Sequence, residues 1–146
     1  MSATCQLCTF LLDRRWFAVP VNDVQEVLRF HDITRVPLAA KPIFGLINLR
    51  GLIVPAIDLR TRLELPARAE GCLPMNVVVR TTDGPKALLV DEIGDVLELA
   101  NDAFEPPPHT VRGLARDLIC GTYKQPNSLI HVLDVAKTVT CGTPTI

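Results

Sequence analysis

The sequence predicts a mostly β protein: two small barrels of five strands each, packed together, with short helices including one at the C-terminus. Three observations carry this expectation. Leu, Val and Ile supply nearly a third of the chain, while 12 Pro and 8 Gly cut it into short runs, a pattern of short strands and turns. The chain also repeats itself. Val21-x-x-Val24-x-Glu26-Val27-Leu28 recurs as Val90-x-x-Ile93-x-Asp95-Val96-Leu97, an offset of 69 (90 minus 21), and Ala18 maps onto Ala87 by the same step. Ile43-x-Gly45, Ile53-Val54 and Asp58-Leu59 recur as Ile119-x-Gly121, Leu129-Ile130 and Asp134-Val135, an offset of 76 (119 minus 43). Finally, 48% of the 146 residues are apolar. Five twisted strands in about 65 residues can close on themselves and hide their edges. Two such barrels standing apart would each be marginal, so one apolar layer between them suits the composition.

Each element has a local reason. Leu7–Leu12 reads as a strand, Asp13-Arg14-Arg15 as a polar turn and Trp16–Pro20 as the returning arm of a hairpin. Val21-Asn22-Asp23 makes a corner, and Val24–Phe30 runs on as a strand. Ile33–Pro42, with two prolines, reads as a loop. Ile43–Leu49 and Leu52–Leu59 form a hairpin around Arg50-Gly51, where glycine at the second turn position admits positive φ. Pro55 marks the second arm as an edge strand or a bulge. Asp58 can cap a short helix over Leu59–Leu65, and Pro66–Pro74 is the most linker-like stretch. The approximate halves are then 5–66 and 75–140 of one domain. In the second, Asn76–Arg80 and Lys86–Val90 flank a turn, and Glu92–Ala100 is a further strand. Pro106-Pro107-Pro108 stiffens a loop. Leu118–Tyr123 and Ser128–Leu133 flank the turn Lys124–Asn127, and Asp134 caps a last helix, Val135–Val139.

Charge and motifs exclude several classes of function. Fifteen basic and 16 acidic residues give a net charge of −1, without the basic footprint that nucleic acid requires. No apolar run approaches a bilayer-spanning length, and Met1-Ser2-Ala3-Thr4-Cys5 does not open a secretory signal. A soluble, cytoplasmic protein without membrane insertion is expected. Five cysteines, an odd count, argue against a disulfide framework. Cys5-Gln-Leu-Cys8 has no second pair to complete a zinc site and enters a strand rather than a helix, so neither metal nor redox chemistry is expected. No phosphate loop, zinc-protease helix or nucleophile elbow is present, and the three histidines lack a nucleophile partner. No catalytic residue, metal or cofactor is therefore assigned.

Val24-Gln25-Glu26-Val27-Leu28, followed by Gly45-Leu46-Ile47-Asn48-Leu49-Arg50-Gly51-Leu52-Ile53-Val54-Pro55-Ala56-Ile57-Asp58-Leu59-Arg60, resembles the CheW-like family of chemotaxis coupling proteins. Leu89-Val90-Asp91-x-Ile93-x-Asp95-Val96-Leu97 and Glu105-Pro106-Pro107-Pro108 add to the resemblance, which spans about Phe10 to Val139. It implies two five-stranded SH3-like barrels, with strands free to exchange between them. It implies a non-enzymatic adaptor that bridges a chemoreceptor's cytoplasmic tip and the regulatory domain of a CheA-type histidine kinase, recruited to membrane-associated receptor arrays. That kinase domain resembles this chain, so end-to-end contacts of like folds, self or kinase, can build rings. A small-barrel ligand-binding module, or a scaffold in a twitching or other chemotaxis-like pathway, is the competing reading.

The resemblance also points to receptor-binding residues. Arg50 matches the family's receptor-binding arginine, and its guanidinium can hold a carboxylate or backbone oxygens in a fixed fork. The bland alternative is a solvated hairpin-tip arginine. Glu26 is a candidate partner for it, or else a solvent-facing carboxylate. Val24 and Val27 face opposite sides of a strand, and Val24 is the one the resemblance places at the receptor. Gly45 permits close approach of a receptor helix, or marks a strand bulge. Asn48 satisfies a receptor backbone group, or caps its own turn. Val77 matches an apolar contact near the barrel junction, or is plain core. The kinase-contact residues are not legible.

Overall fold

A computed structural model describes residues 4–29, 32–35, 43–69, 71–100, 103–106 and 114–140. The chain opens with the hairpin β1 (Thr4–Leu12) and β2 (Arg15–Pro20), makes a single 3-10 turn at Val21–Asp23, and continues as β3 (Val24–Leu28). A two-residue strand β4 (Thr34–Arg35) precedes the hairpin β5 (Ile43–Leu49) and β6 (Leu52–Asp58), which leads into α1 (Leu59–Arg62). The second half runs as hairpin β7 (Met75–Thr81) and β8 (Gly84–Val90), strand β9 (Glu92–Ala100) and short β10 (Phe104–Glu105). It ends with α2 (Leu114–Leu118), hairpin β11 (Ile119–Gln125) and β12 (Ser128–Leu133), and α3 (Val135–Val139). Asp58 and Asp134 cap their helices as expected, accepting from Arg60 N at 3.1 Å and Lys137 N at 3.0 Å.

The strands form two sheets, ordered β10-β11-β12-β2-β1-β9 and β3-β7-β8-β6-β5-β4. Each is five long strands plus one two-residue strand, so β4 and β10 add to the expected ten. Neither sheet is a sequence half. The β1–β2 hairpin is completed by strands of the second half, and β7–β8 by strands of the first. The joins are the two parallel pairings, β12 with β2 (Val132 beside Ala18) and β6 with β8 (Ala56 beside Ala87). Those pairs are the same pair under the 76 and 69 offsets. The antiparallel registers repeat as well: Val24 faces Val79 as Ile93 faces Phe10, and Gly45 faces Ala56 as Gly121 faces Val132. The second of these sheets curls back on itself. Arg50 at the β5–β6 tip reaches Glu26 on β3, at the opposite end of the sheet order.

The shared apolar layer explains the composition. On β7, Val77 and Val79 point into a layer built from both sheets, with Phe10, Phe17, Leu88 and Leu133, while Val78 between them fills one barrel with Ile47, Val54 and Leu89. The other barrel is filled by Leu7, Ala18, Tyr123, Ile130 and Val132. A strand buried on both faces reads as an unbroken apolar run, hence Val77-Val78-Val79 and Leu88-Leu89-Val90.

Several boundaries move. β3 stops at Leu28, α1 stops at Arg62 rather than Leu65, and Leu118 closes α2 instead of opening a strand. Of the expected loop Ile33–Pro42, Thr34–Arg35 is strand and residues 36–42 lie outside the described residues, as do Pro107 and Pro108. Pro55 does not mark an edge: β6 lies between β8 and β5. Pairing with β8 begins only at Ala56, so the proline's missing N–H falls where that side of the strand has no neighbour.

Two polar locks hold the assembly. The Asp91 carboxylate accepts from Arg60 Nη2 at 2.5 Å and Nε at 3.0 Å, from Arg68 Nε at 3.2 Å and from Asp13 N at 2.9 Å. It thereby ties α1, the linker and the β1–β2 turn to one point. Arg62 of α1 donates to the carbonyls of Thr138, Lys137 and Thr140 at 2.9, 2.8 and 3.0 Å, covering the open end of α3. Thr138 is the repeat mate of Arg62 (62 plus 76), so this contact lies where the two halves exchange roles.

Candidate docking surface around the Arg50 hairpin

Leu49 pairs with Leu52, leaving Arg50 and Gly51 as a two-residue turn. Their φ angles are 53° and 86°. Positive φ at both positions is the geometry of a type I′ turn, whose twist matches the flanking strands. The Asn48 side-chain Oδ1 accepts from Gly51 N at 2.9 Å and braces the turn from within.

The turn carries Arg50 across to β3. Its Nη1 donates to Glu26 Oε2 at 2.6 Å and its Nη2 to Glu26 Oε1 at 3.0 Å, a parallel two-bond fork. The Arg50 side chain keeps 73% of its surface exposed, against 18% for Glu26. The hydrogen bond from Arg50 holds the Glu26 carboxyl below its ordinary pKa, and Glu26 raises that of Arg50. Both groups are charged at neutral pH. The guanidinium is fixed in direction and still presents Nε and the outer hydrogens to solvent.

Exposed aliphatic side chains neighbour this pair in the chain. Val27 is 42% exposed, Leu52 50% and Ile53 57%. A planar charge held among exposed aliphatic side chains is the make-up of a protein-docking surface. Among the described residues, no group of three or more His, Cys, Asp or Glu side chains could hold a metal ion. Cys5, Cys8, Cys72 and Cys120 are free thiols, with burial raising the pKa of Cys8, while Cys141 lies outside the described residues.

The structure brings Glu26, Asn48 and Arg50 together and sets the other expected contacts deeper. Val24 leans on the shared core, and Val27 is the β3 valine that faces outward. Between the two valines β3 is irregular, from Val24 to Glu26, which resets its alternation. Val77 is fully enclosed in the shared layer, opposite Val27 in the strand register. Gly45 sits at the irregularity between Ile43 and Gly45. A Cβ there would collide with the Thr34 carbonyl oxygen and come within 2.7 Å of Ile33 Cγ2, so the space is taken by the chain's own β4. Leu52 and Ile53 were not anticipated. Their signal was an apolar pair directly after a hairpin turn, which in sequence is indistinguishable from a buried strand start.

Comparison with known proteins adds to this geometry. Residues 6–140 match the family model described as CheW-like domain. The chain is 30% identical over 129 residues to the chemotaxis protein CheW of Bacillus subtilis, covering 88% of this chain and 83% of the relative. It is 27% identical over 136 residues to that of Treponema pallidum, covering 90% and 80%. Among solved structures it resembles the scaffolding protein TtCheW of Thermoanaerobacter tengcongensis. There the TM-score is 0.81 at 27% identity, with 90% of each chain covered.

Proposed function

The chain belongs to the CheW-like family, and on that premise we propose that it is a non-enzymatic adaptor that couples chemoreceptor signalling tips to a CheA-type histidine kinase. The observation that carries the reading is the Arg50–Glu26 fork held on a strained turn among exposed aliphatic side chains. An amphipathic receptor helix laid on Val27, Leu52 and Ile53 buries its apolar stripe there. Arg50, already oriented by Glu26, then takes a helix carboxylate or carbonyl with little further ordering. Asn48, Gly45 and Val77 act through the turn, the β4 approach and the core beneath. The regulatory domain of the kinase docks elsewhere, at a barrel end, so that one adaptor holds both partners. The site of action is the cytoplasmic side of a receptor array; none of the described helices is long and apolar enough to cross a membrane.

The test is size-exclusion chromatography of the protein with a CheA-type regulatory domain, with and without a receptor-tip fragment. A ternary complex is expected. Arg50→Glu is expected to weaken receptor binding at least tenfold while leaving the melting curve and kinase co-elution in place. Unchanged receptor affinity in Arg50→Glu removes Arg50 from the surface, and co-elution with neither partner overturns the adaptor reading.

A further inference from the structure

The repeat that relates the two barrels breaks at the Arg50 turn, and a cavity lies beside the matching turn. Glu26 maps onto Asp95 (26 plus 69), and Arg50 maps onto Pro126 (50 plus 76). In one barrel the carboxylate is therefore filled by the chain's own guanidinium. In the other the matching turn residue has no charge to offer, and the exposed Asp95 side chain makes no hydrogen bond or ion pair with any described residue. Beside Asp95 there is an open cavity of about 160 Å³, walled by Trp16, Leu97 and Ile130 with Gln125 and Ser128, the residues that flank the matching turn. At about 30 Å³ per water it holds roughly five, room for a guanidinium head and part of its stem.

Trp16 has a built place there. A Cβ at Gly94 would come within 2.6 Å of Trp16 Cζ3 and of Thr9 Oγ1, so only glycine lets the indole lie against β9. The mates of this pair in the other barrel are Pro85 (16 plus 69) and Gln25 (94 minus 69). The aromatic wall thus occurs only where the internal arginine is missing. Outside the cavity, Val96 is 59% exposed and Leu129 39%, the repeat mates of Val27 and Ile53. An apolar rim around an acid and an indole fits a side chain presented by a protein better than a free metabolite.

We propose that this cavity receives an arginine side chain of a protein partner, its guanidinium paired with Asp95 and stacked on Trp16. An arginine plane stacks on an indole face and also forks onto a carboxylate, which a lysine ammonium cannot do. The partner thereby supplies in trans what Arg50 supplies in cis. The proposal concerns the barrel opposite the Arg50 surface, so loss of receptor binding in Arg50→Glu leaves it standing.

Trp16 is the only tryptophan, so its fluorescence reports the cavity directly. The full chain is titrated with the peptide acetyl-Gly-Arg-Gly-amide, and with its lysine and citrulline counterparts. The expected result is a saturable change in emission for arginine, at least threefold weaker binding for lysine, and no saturation for the neutral citrulline peptide. Asp95→Asn is expected to weaken the arginine response at least fivefold. A second variant, Pro126→Arg with Asn127→Gly, rebuilds the Arg50-Gly51 turn and fills the cavity from within. It is expected to alter the free protein's emission and abolish the titration. No saturable response to arginine, an equal response to citrulline or lysine, or an unchanged response in Asp95→Asn overturns the proposal. The Asp95→Asn comparison decides the matter by itself if the rebuilt turn does not fold.

Discussion

A type I′ turn costs least with Asn-Gly, because asparagine and glycine tolerate positive φ. The chain instead places an arginine there, with φ of 53°. Such strain is not by itself a sign of function, since Arg14 in the β1–β2 turn has φ of 65° and no assigned role. What separates Arg50 is its two-bond fork with Glu26 and the aliphatic side chains around it. Arg50→Asn is therefore expected to relieve the turn and raise the melting temperature, since an exposed ion pair returns little stability. The same substitution is expected to cost at least tenfold in receptor affinity. Thermal melts and a binding titration on one preparation check both signs. A fall in both quantities would make Arg50 a residue of the fold rather than of the surface. The Arg50-Gly51 turn was legible because turn chemistry is local, whereas Arg50 and Glu26 became candidates through the family resemblance. The sequence did not show which β3 valine faces out, because one irregularity between Val24 and Glu26 shifts every later side chain.

At the scale of elements, the hairpins, the caps and the paired glycines were legible, while the short strands β4 and β10 and the helix α2 were not. Hairpins announce themselves by alternation and turn residues within a few positions. A two-residue strand exists only because a distant strand lets it approach, as Gly45 does for β4 and Gly121 for Phe104 of β10. Asp91 belongs to the same class of long-range effect. In sequence it is a turn residue, yet it binds α1, the linker and the β1–β2 turn. Burial alone would raise its pKa, but the hydrogen bond from Arg60, the amide of Asp13 and the charges of Arg60 and Arg68 outweigh that and lower it. A carboxyl with a depressed folded pKa adds stability that is present above its unfolded value, near 3.9, and is lost as pH falls through the lower folded value. Asp91→Asn is expected to cost about 2 kcal/mol at neutral pH, typical of losing charged hydrogen bonds at a half-buried site. It is also expected to flatten the acid limb of the stability curve below about pH 4, again set by the unfolded carboxyl pKa. Denaturant melts from pH 2 to 7 measure both, and a variant curve parallel to the parent's would show that Asp91 stays uncoupled from folding.

For the molecule as a whole, the repeat was legible and the exchange of strands was not. Offsets of 69 and 76 say that two halves build alike, and the registers obey them pair for pair. They do not say whether a hairpin closes with its own half or the other, because the apolar faces of the two halves are interchangeable in pattern. The parallel joins of β12 with β2 and β6 with β8 settle it, since each barrel takes strands from both halves. The shared layer reinforces this, drawing Phe10, Phe17, Ile57 and Leu59 from one half and Val77, Leu88, Ile119 and Leu133 from the other. No half can bury its strands alone, and an unpaired hairpin with one bare face is not stable in water. A cut in the linker is therefore expected to leave the molecule intact. With a protease site inserted after the exposed Cys72, the nicked chain is expected to elute as one particle and melt in one transition. The same two fragments made separately are expected to show no cooperative melt until mixed. Fragments that part after cleavage, or that fold singly, would mean that each half closes its own barrel.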